Sequence, residues 1–170
     1  MAKAVFVRRI EQAEASVARQ LRLSALSESP KAFGGTYEDA LSRTQRDYEI
    51  FASSRATSDI NALFIAIDSN EPVGMIGAFF DNATSLPFIS SMWVSPALRR
   101  KGVGKWLFLA AKEWLQDRGA QEVNAWVVTE NSQAISFYET LGFVATEVCE
   151  PLPSDSSLVE RLYIYSVLVI

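Results

Sequence analysis

VSPALRRKGVGK, residues 94–105, joins an apolar strand-like run to a helical one, and the rest of the chain is read from it. Gly102 and Gly104 carry no side chain, so a ligand can approach the backbone closely and meet N–H groups turned outward. The helix that follows adds unpaired N–H groups and the positive end of its dipole. Arg99, Arg100, Lys101 and Lys105 place four of the sixteen basic residues within seven positions. Physically this is a design for binding a pyrophosphate; the blander reading is a solvated basic turn that caps a helix. Two other phosphate loops do not fit. A Walker loop needs glycine five residues before its Gly-Lys pair and Ser or Thr after it, where this chain has Arg99 and Trp106. A dinucleotide loop needs a third glycine where Leu107 stands, and it follows the first strand of a βαβ unit, not a fourth strand.

Upstream of the loop, Phe88–Val94 reads as the fourth strand, and downstream Val103, Trp106, Leu107, Ala110 and Trp114 trace one face of a helix over Gly102–Arg118. Gly119 ends that helix. Before the fourth strand, Ala4–Arg9 predicts a strand, Glu11–Leu26 a helix and Tyr37–Ser53 a second, more polar helix. Asn61–Asp68 and Pro72–Phe80 predict a hairpin turned at Ser69-Asn70. After the loop's helix come a strand at Glu122–Val128 and a short helix at Ser132–Leu141, with Asn131 as N-cap and Gly142 as stop. Phe143–Val148 and Leu158–Ile170 predict two last strands, with EPLPSDSS as a proline-bearing loop between them. No repeat or linker interrupts the pattern, which reads as one α/β domain over residues 1–170.

Composition narrows the chemistry. The 170 residues are 49% hydrophobic and 21% charged, enough apolar matter for a packed core without staples. There is no histidine and one cysteine, Cys149, so a Ser-His-Asp triad, a Cys-His pair, a His-based metal site and an internal disulfide cannot be built. Cys149 reads as a small hydrophobe, buried or at a loop edge. Twenty acidic against sixteen basic residues leave a net charge of −4, which argues against nucleic acid as a partner. The N-terminus reaches charged residues too early for a signal core, and the longest apolar-rich run, Leu162–Ile170, is less than half a membrane span. No membrane and a cytoplasmic location are the expectations.

Val94-x-Pro96-x-x-Arg99-x-x-Gly102-x-Gly104 is similar to the acyl-CoA loop of the GNAT N-acetyltransferase superfamily, whose core is (Gln/Arg)-x-x-Gly-x-(Gly/Ala). Asn131-x-x-Ala134-x-x-Phe137-Tyr138-x-x-Leu141-Gly142-Phe143 resembles that family's segment from fifth strand to fourth helix. The detailed resemblance runs from about Phe88 to Val148. It implies a mixed, mostly antiparallel sheet of about seven strands flanked by about four helices. It also implies acetyl-CoA as co-substrate, no metal, an amine acceptor, and room for a homodimer. Met92, Trp93 and Val94, beside a family β-bulge, would meet the pantetheine arm. Arg99, Arg100, Lys101, Gly102, Val103, Gly104 and Lys105 would wrap the pyrophosphate, and Arg100, Lys101 or Lys105 would reach the 3′-phosphate. Asn131 would hydrogen-bond the pantetheine. Tyr138 matches the family tyrosine that protonates the departing thiolate; the plainer role is core packing. Position 100, often glycine in the family, is Arg here.

The implied reaction needs a neutral amine, and an alkylamine with a pKa around 10.4 is only about 1 part in 2,500 neutral at pH 7, a deficit of about 4.6 kcal/mol. The fourth strand offers only Ser90 and Ser91, both poor bases. Glu130, Glu38 and Asp39 are carboxylate candidates, and a base acting through ordered water is the expectation. Transfer would be direct, because nothing is available to activate Cys149. Phe33 and Tyr37, in the segment that lines the family's acceptor pocket, are the acceptor-binding candidates. The acidic balance favours cationic acceptors. A non-catalytic acyl-CoA-binding module is the rival to an enzyme.

Overall fold

The computed structural model describes residues 4–168. Its centre is a seven-stranded sheet in the order β1-β2-β3-β4-β5-β7-β6. The strands are β1 (Phe6–Arg9), β2 (Asn61–Asp68), β3 (Glu71–Phe80), β4 (Pro87–Val94), β5 (Glu122–Val128), β6 (Val144–Leu152) and β7 (Asp155–Ser166). All neighbours run antiparallel except β4 and β5. Five α-helices cover it: α1 (Ala15–Glu28), α2 (Tyr37–Ser42), α3 (Gln45–Thr57), α4 (Val103–Gln116) and α5 (Ser132–Leu141).

Strand β2 shows how the layers arise. Successive side chains of a strand point to opposite faces. Ala62, Phe64 and Ala66 accordingly join the core under α4, with Leu107, Phe108 and Trp114. Leu63, Ile65 and Ile67 join the core under α1 and α3, with Leu21, Ala25 and Tyr48. Two cores on the two faces of one strand explain why NALFIAID is apolar almost throughout.

Three expectations change. The predicted helix over Tyr37–Ser53 is two, because Thr44 takes an extended conformation and starts α3 with a capping box to Asp47. That raises the helix count from about four to five and leaves Arg43 at the break. The stretch read as a loop between the last strands is largely paired; only Pro153 and Ser154 separate β6 from β7, and residues 169–170 of the strand predicted to Ile170 lie outside the described residues. Cys149 is exposed, in the middle of edge strand β6 rather than in a core or at a loop edge.

A bulge in β4 sets the site. Trp93 pairs with Met75 but Ser90 pairs with Gly77, so Ile76 faces both Ser91 and Met92. Ser91 takes φ +53° to allow it. The extra residue reverses the alternation. Ile89 belongs to the α4 core, while Trp93, four residues on, lies in the α1 core and Val94 returns to the α4 side. Beside it the sheet splits. β4 and β5 are in register only at Phe88 and Asn124, where the buried Asn124 amide donates to the Pro87 carbonyl at 3.1 Å. Beyond that pin the two strands part and open a cleft.

Candidate active site

The cleft between β4 and β5 has a volume of about 1500 Å³. At one end stands the start of α4. Gly102 is its N-cap with φ +87°, a left-handed conformation that a side chain resists, and it supplies no capping group. The first internal donor of α4 is Trp106, whose N–H reaches the Gly102 carbonyl at 3.0 Å. The N–H groups of Val103, Gly104 and Lys105 therefore have no partner within the helix. Arg100, Gly102, Gly104 and Lys105 line the cleft, so positive charge and free donors meet there. These features suit a pyrophosphate such as that of CoA. Lys101 is exposed and does not line the cleft, and the Val103 side chain is buried in the core, leaving only its N–H for a ligand.

Two of these positions carry reasons that spacing does not show. A Cβ on Gly104 would lie 2.9 Å from Phe137 and 3.0 Å from Met92, so the missing side chain also makes room for α5 and the bulge. Arg100 has φ +61°, in the region where glycine is favoured. That is a backbone reason for glycine at this place in the family, and this chain holds an arginine there against it.

Arg99 lines the cleft and at the same time braces the loop. Its Nη2 lies 2.6 Å from Glu28 Oε2 and its Nε donates to the Val94 carbonyl at 2.9 Å. The indole of Trp93 donates to the same carboxylate oxygen at 3.0 Å, and Ser29 Oγ donates to it as well. Arg99 beside it, with these donors, holds the Glu28 carboxyl at about 2, well below its usual 4.5. The end of α1, the end of β4 and the loop that leads into α4 are thus tied at one carboxylate.

Further along the cleft, Tyr138 on α5 is 7% exposed and lies edge-to-face with Phe137 and Phe143. It packs in the core and lines the cleft at once. Burial pushes its phenol well above the ordinary value, so it stays protonated and can only be an acid near neutrality. Asn131 also lines the cleft. Its Oδ1 accepts from the Ala134 N–H at 3.1 Å, which leaves its amide N–H groups for a ligand. Met92, Trp93 and Val94 complete the wall on the β4 side.

The far end is built from pieces distant in sequence. Phe33 lines the cleft; its carbonyl accepts from Ser154 Oγ at 2.7 Å, docking the β6–β7 turn there. Tyr37, at the start of α2, packs against the α1 core and does not line the cleft. Neither do Glu38, Asp39 or Glu130, all exposed. The cleft carboxylate is Glu160 on β7, 8% exposed and directly across from Glu150 on β6. Burial first, then proton sharing and like-charge repulsion with Glu150, raise its carboxyl to about 7. Glu160 was missed although the sequence signalled it: Leu158 and Leu162 stand two residues either side, so the charge falls on the apolar alternation of a strand. Arg22 and Arg43, also on the cleft, gave no comparable signal: Arg22 reads as one charge of an amphipathic helix and Arg43 lies in a polar stretch.

Residues 23–143 match the model of the Acetyltransferase (GNAT) family. This chain belongs to that family. Among curated proteins, mycothiol acetyltransferase of Gordonia bronchialis is 34% identical over 87 residues, 50% of this chain and 28% of that protein. The uncharacterized N-acetyltransferase MJ1207 of Methanocaldococcus jannaschii is 32% identical over 95 residues, 53% of this chain and 42% of that protein. The chain thus spans well under two thirds of these relatives. The Salmonella typhimurium protein yncA, solved with acetyl-CoA, superposes with a TM-score of 0.79 at 14% identity, covering 98% of this chain and 96% of that one. At that identity the likeness is one of fold. Among the described residues no helix is long and apolar enough to cross a membrane.

Proposed function

We propose that this GNAT chain transfers the acetyl group of acetyl-CoA to a primary amine by direct attack within a ternary complex. One observation carries the reading: a single cleft is lined by the uncapped start of α4, by a neutral tyrosine and by a carboxyl held at about 7. Bound acetyl-CoA supplies an activated thioester, its pyrophosphate on the N–H groups of Gly102–Lys105 and its pantetheine along Met92–Val94 and Asn131. Relatives named for N(6′)- and N-alpha-acetylation support nitrogen as the accepting atom.

The protein's part is then proton handling. The acceptor's ammonium must lose a proton before its lone pair can form the new C–N bond. Glu160, directly or through one water, takes it. A carboxylate at about 7 is a far better base than one at 4.5 and is still half ionised at neutral pH. As the C–S bond breaks, the Tyr138 O–H gives its proton to the departing thiolate. The proton that the newly bonded nitrogen sheds goes back to the Tyr138 oxygen, so the phenol ends as it began. The backbone N–H groups of the Trp93–Val94 stretch stabilise negative charge on the carbonyl oxygen. Glu160 takes the place of the water-borne or loop carboxylate base that the sequence suggests, and it weighs against a non-catalytic binding module.

The test is thermal shift with acetyl-CoA and with CoA, followed by thiol release across a panel of amines. A ligand at about 100 times its Kd adds about 2.7 kcal/mol of stability. The proposal expects a shift with both ligands and thiol release with at least one amine. A shift without release on any amine favours the binding module, and no shift removes both.

A further inference from the structure

Resting on that reading, we infer that the acceptor is a small amine that also carries a carboxylate, of the amino-acid type, with its carboxylate bound by Arg22 and its nitrogen turned toward Glu160. Six other arginines have clear partners close by. Arg8, Arg46, Arg99 and Arg118 reach carboxylates, and Arg9 donates to the carbonyls of Arg55, Ser58 and Asn61. Arg55 stacks on Phe51 with its guanidinium 4.2 Å from the ring centre. Arg22 differs. It extends from α1 into the cleft, over the Phe33 ring at 5.8 Å, and among the described residues it has no ion pair. Its one hydrogen bond, Nη1 to Ser91 Oγ at 3.5 Å, is at the outer limit of such contacts.

A guanidinium has five N–H donors in a fork that matches a carboxylate. Burial lowers Arg22's affinity for its proton, and the neighbouring positive charge of Arg43 adds to the effect. A partly desolvated cation beside a like charge is unfavourable until an anion arrives. The surroundings keep it there all the same. A Cβ on Gly35 would lie 2.6 Å from Arg22 Nη2, so the guanidinium tip rests against the bare backbone at position 35, where a side chain would push it aside. The helix break after α2 puts Arg43 on the same cleft.

The position of the fork also orients the ligand. Arg22 reaches Ser91, on the β4 bulge, two residues from Trp93 and hence beside the proposed place of reaction. A carboxylate held there lies on the β4 side of the cleft, the side of the proposed reaction. Glu160, on the opposite wall, suits the ammonium end. The net charge of −4, read over the whole surface, favours cationic acceptors; the cleft itself presents a zwitterion's complement.

The test compares kcat/KM for L-amino acids with that for the amines left when each loses its carboxyl group, in wild type, Arg22→Met, Arg22→Lys, Arg22→Gln and Gly35→Ala. Taking the acid-to-amine ratio between variants cancels differences in amine basicity. At least one amino acid should be acetylated, and Arg22→Met should lower its ratio about 10- to 100-fold, the range for losing a charged bidentate contact. Arg22→Lys should retain more of the ratio than Arg22→Met. Gly35→Ala, which keeps the charge but displaces it, should fall between wild type and Arg22→Met. An unchanged ratio in Arg22→Met overturns the inference, as does acetylation of amines with no amino acid accepted. Should Arg22→Met fail to fold by circular dichroism, an unchanged ratio in Arg22→Gln, which keeps a polar side chain but not the fork, overturns it instead. The acetyl-CoA thermal shift is scored separately, so a failed inference and a failed acetyltransferase reading leave different signatures.

Discussion

The two ends of the cleft are made of different material. The α4 end is backbone: a left-handed glycine, free N–H groups, and side chains within a few residues of one another in the chain. The far end is side chain: Arg22 from α1, Phe33 from the loop after it, and Glu160 from β7, drawn together across nearly the whole sequence. A backbone cradle binds what every member of such a fold would share. A side-chain pocket can be re-lined without touching the fold, so under the proposed function it is where an acceptor would be chosen.

The sharpest way to break this comparison is Glu160→Gln. If proton removal is assigned to the right wall, kcat/KM falls about 100- to 1,000-fold, within the range for a lost general base. The acetyl-CoA thermal shift should stay. The pH profile gives the sign: Glu160 must be ionised, so kcat/KM in the wild type should rise as pH passes through about 7. Glu150→Gln removes the like charge opposite, lowers that carboxyl and should move the rising limb to lower pH. A limb that stays in place in both variants assigns the proton to another group.

Gly104→Asp attacks the other end. It puts a side chain against Phe137 and Met92 and a negative charge where the pyrophosphate should lie. The stabilisation of about 2.7 kcal/mol expected from saturating acetyl-CoA should vanish in a melting experiment. Persistence of the shift would mean that the ligand sits elsewhere.

The same contrast explains what could be read without coordinates. Residues 94–105 form a unit whose meaning is local, so strand, loop and helix were all legible, as was their family resemblance. The β4–β5 split was not. It depends on a bulge at Ser91 and on a single pin at Asn124, and a polar residue within an apolar strand does not by itself say that two strands part there. The Tyr37–Ser53 helix divided because the Thr44 capping box outweighed a nearly continuous helical composition. Phe33 was legible as a pocket residue from its segment, but Tyr37, four positions on, turned to the core. The acceptor side needs contacts between residues more than a hundred positions apart, and periodicity carries no information about those.

Glu28 joins the two ends, and Glu28→Gln tests whether the tie matters. Losing a charge-assisted pair with Arg99 should lower stability at pH 7 by about 1–2 kcal/mol, a figure kept small because both side chains are about one third exposed. Its folded carboxyl lies at about 2 against 4.5 when free, so the stabilisation is fully present above about pH 4.5. It is lost as pH falls toward 2. Wild type and Glu28→Gln should therefore differ in thermal midpoint at pH 7 and converge in acid. A constant difference across that range would place the effect in packing, not charge.

Arg100→Gly has the smallest expected effect and separates backbone from charge within the cradle itself. The native residue sits at φ +61°, which disfavours any side chain by about 1 kcal/mol, so glycine should relieve strain in the folded state. Glycine also loosens the unfolded chain, which offsets part of that gain. The net change in stability should be zero to about +1 kcal/mol, read from denaturant midpoints. Acetyl-CoA affinity reports the other half. If the loop grips through N–H groups alone, the variant should bind as wild type does. If the Arg100 side chain reaches a phosphate, affinity should fall about threefold to tenfold, the fall shrinking as salt is added. The strain at position 100 is then explained by charge in the second case and unexplained in the first.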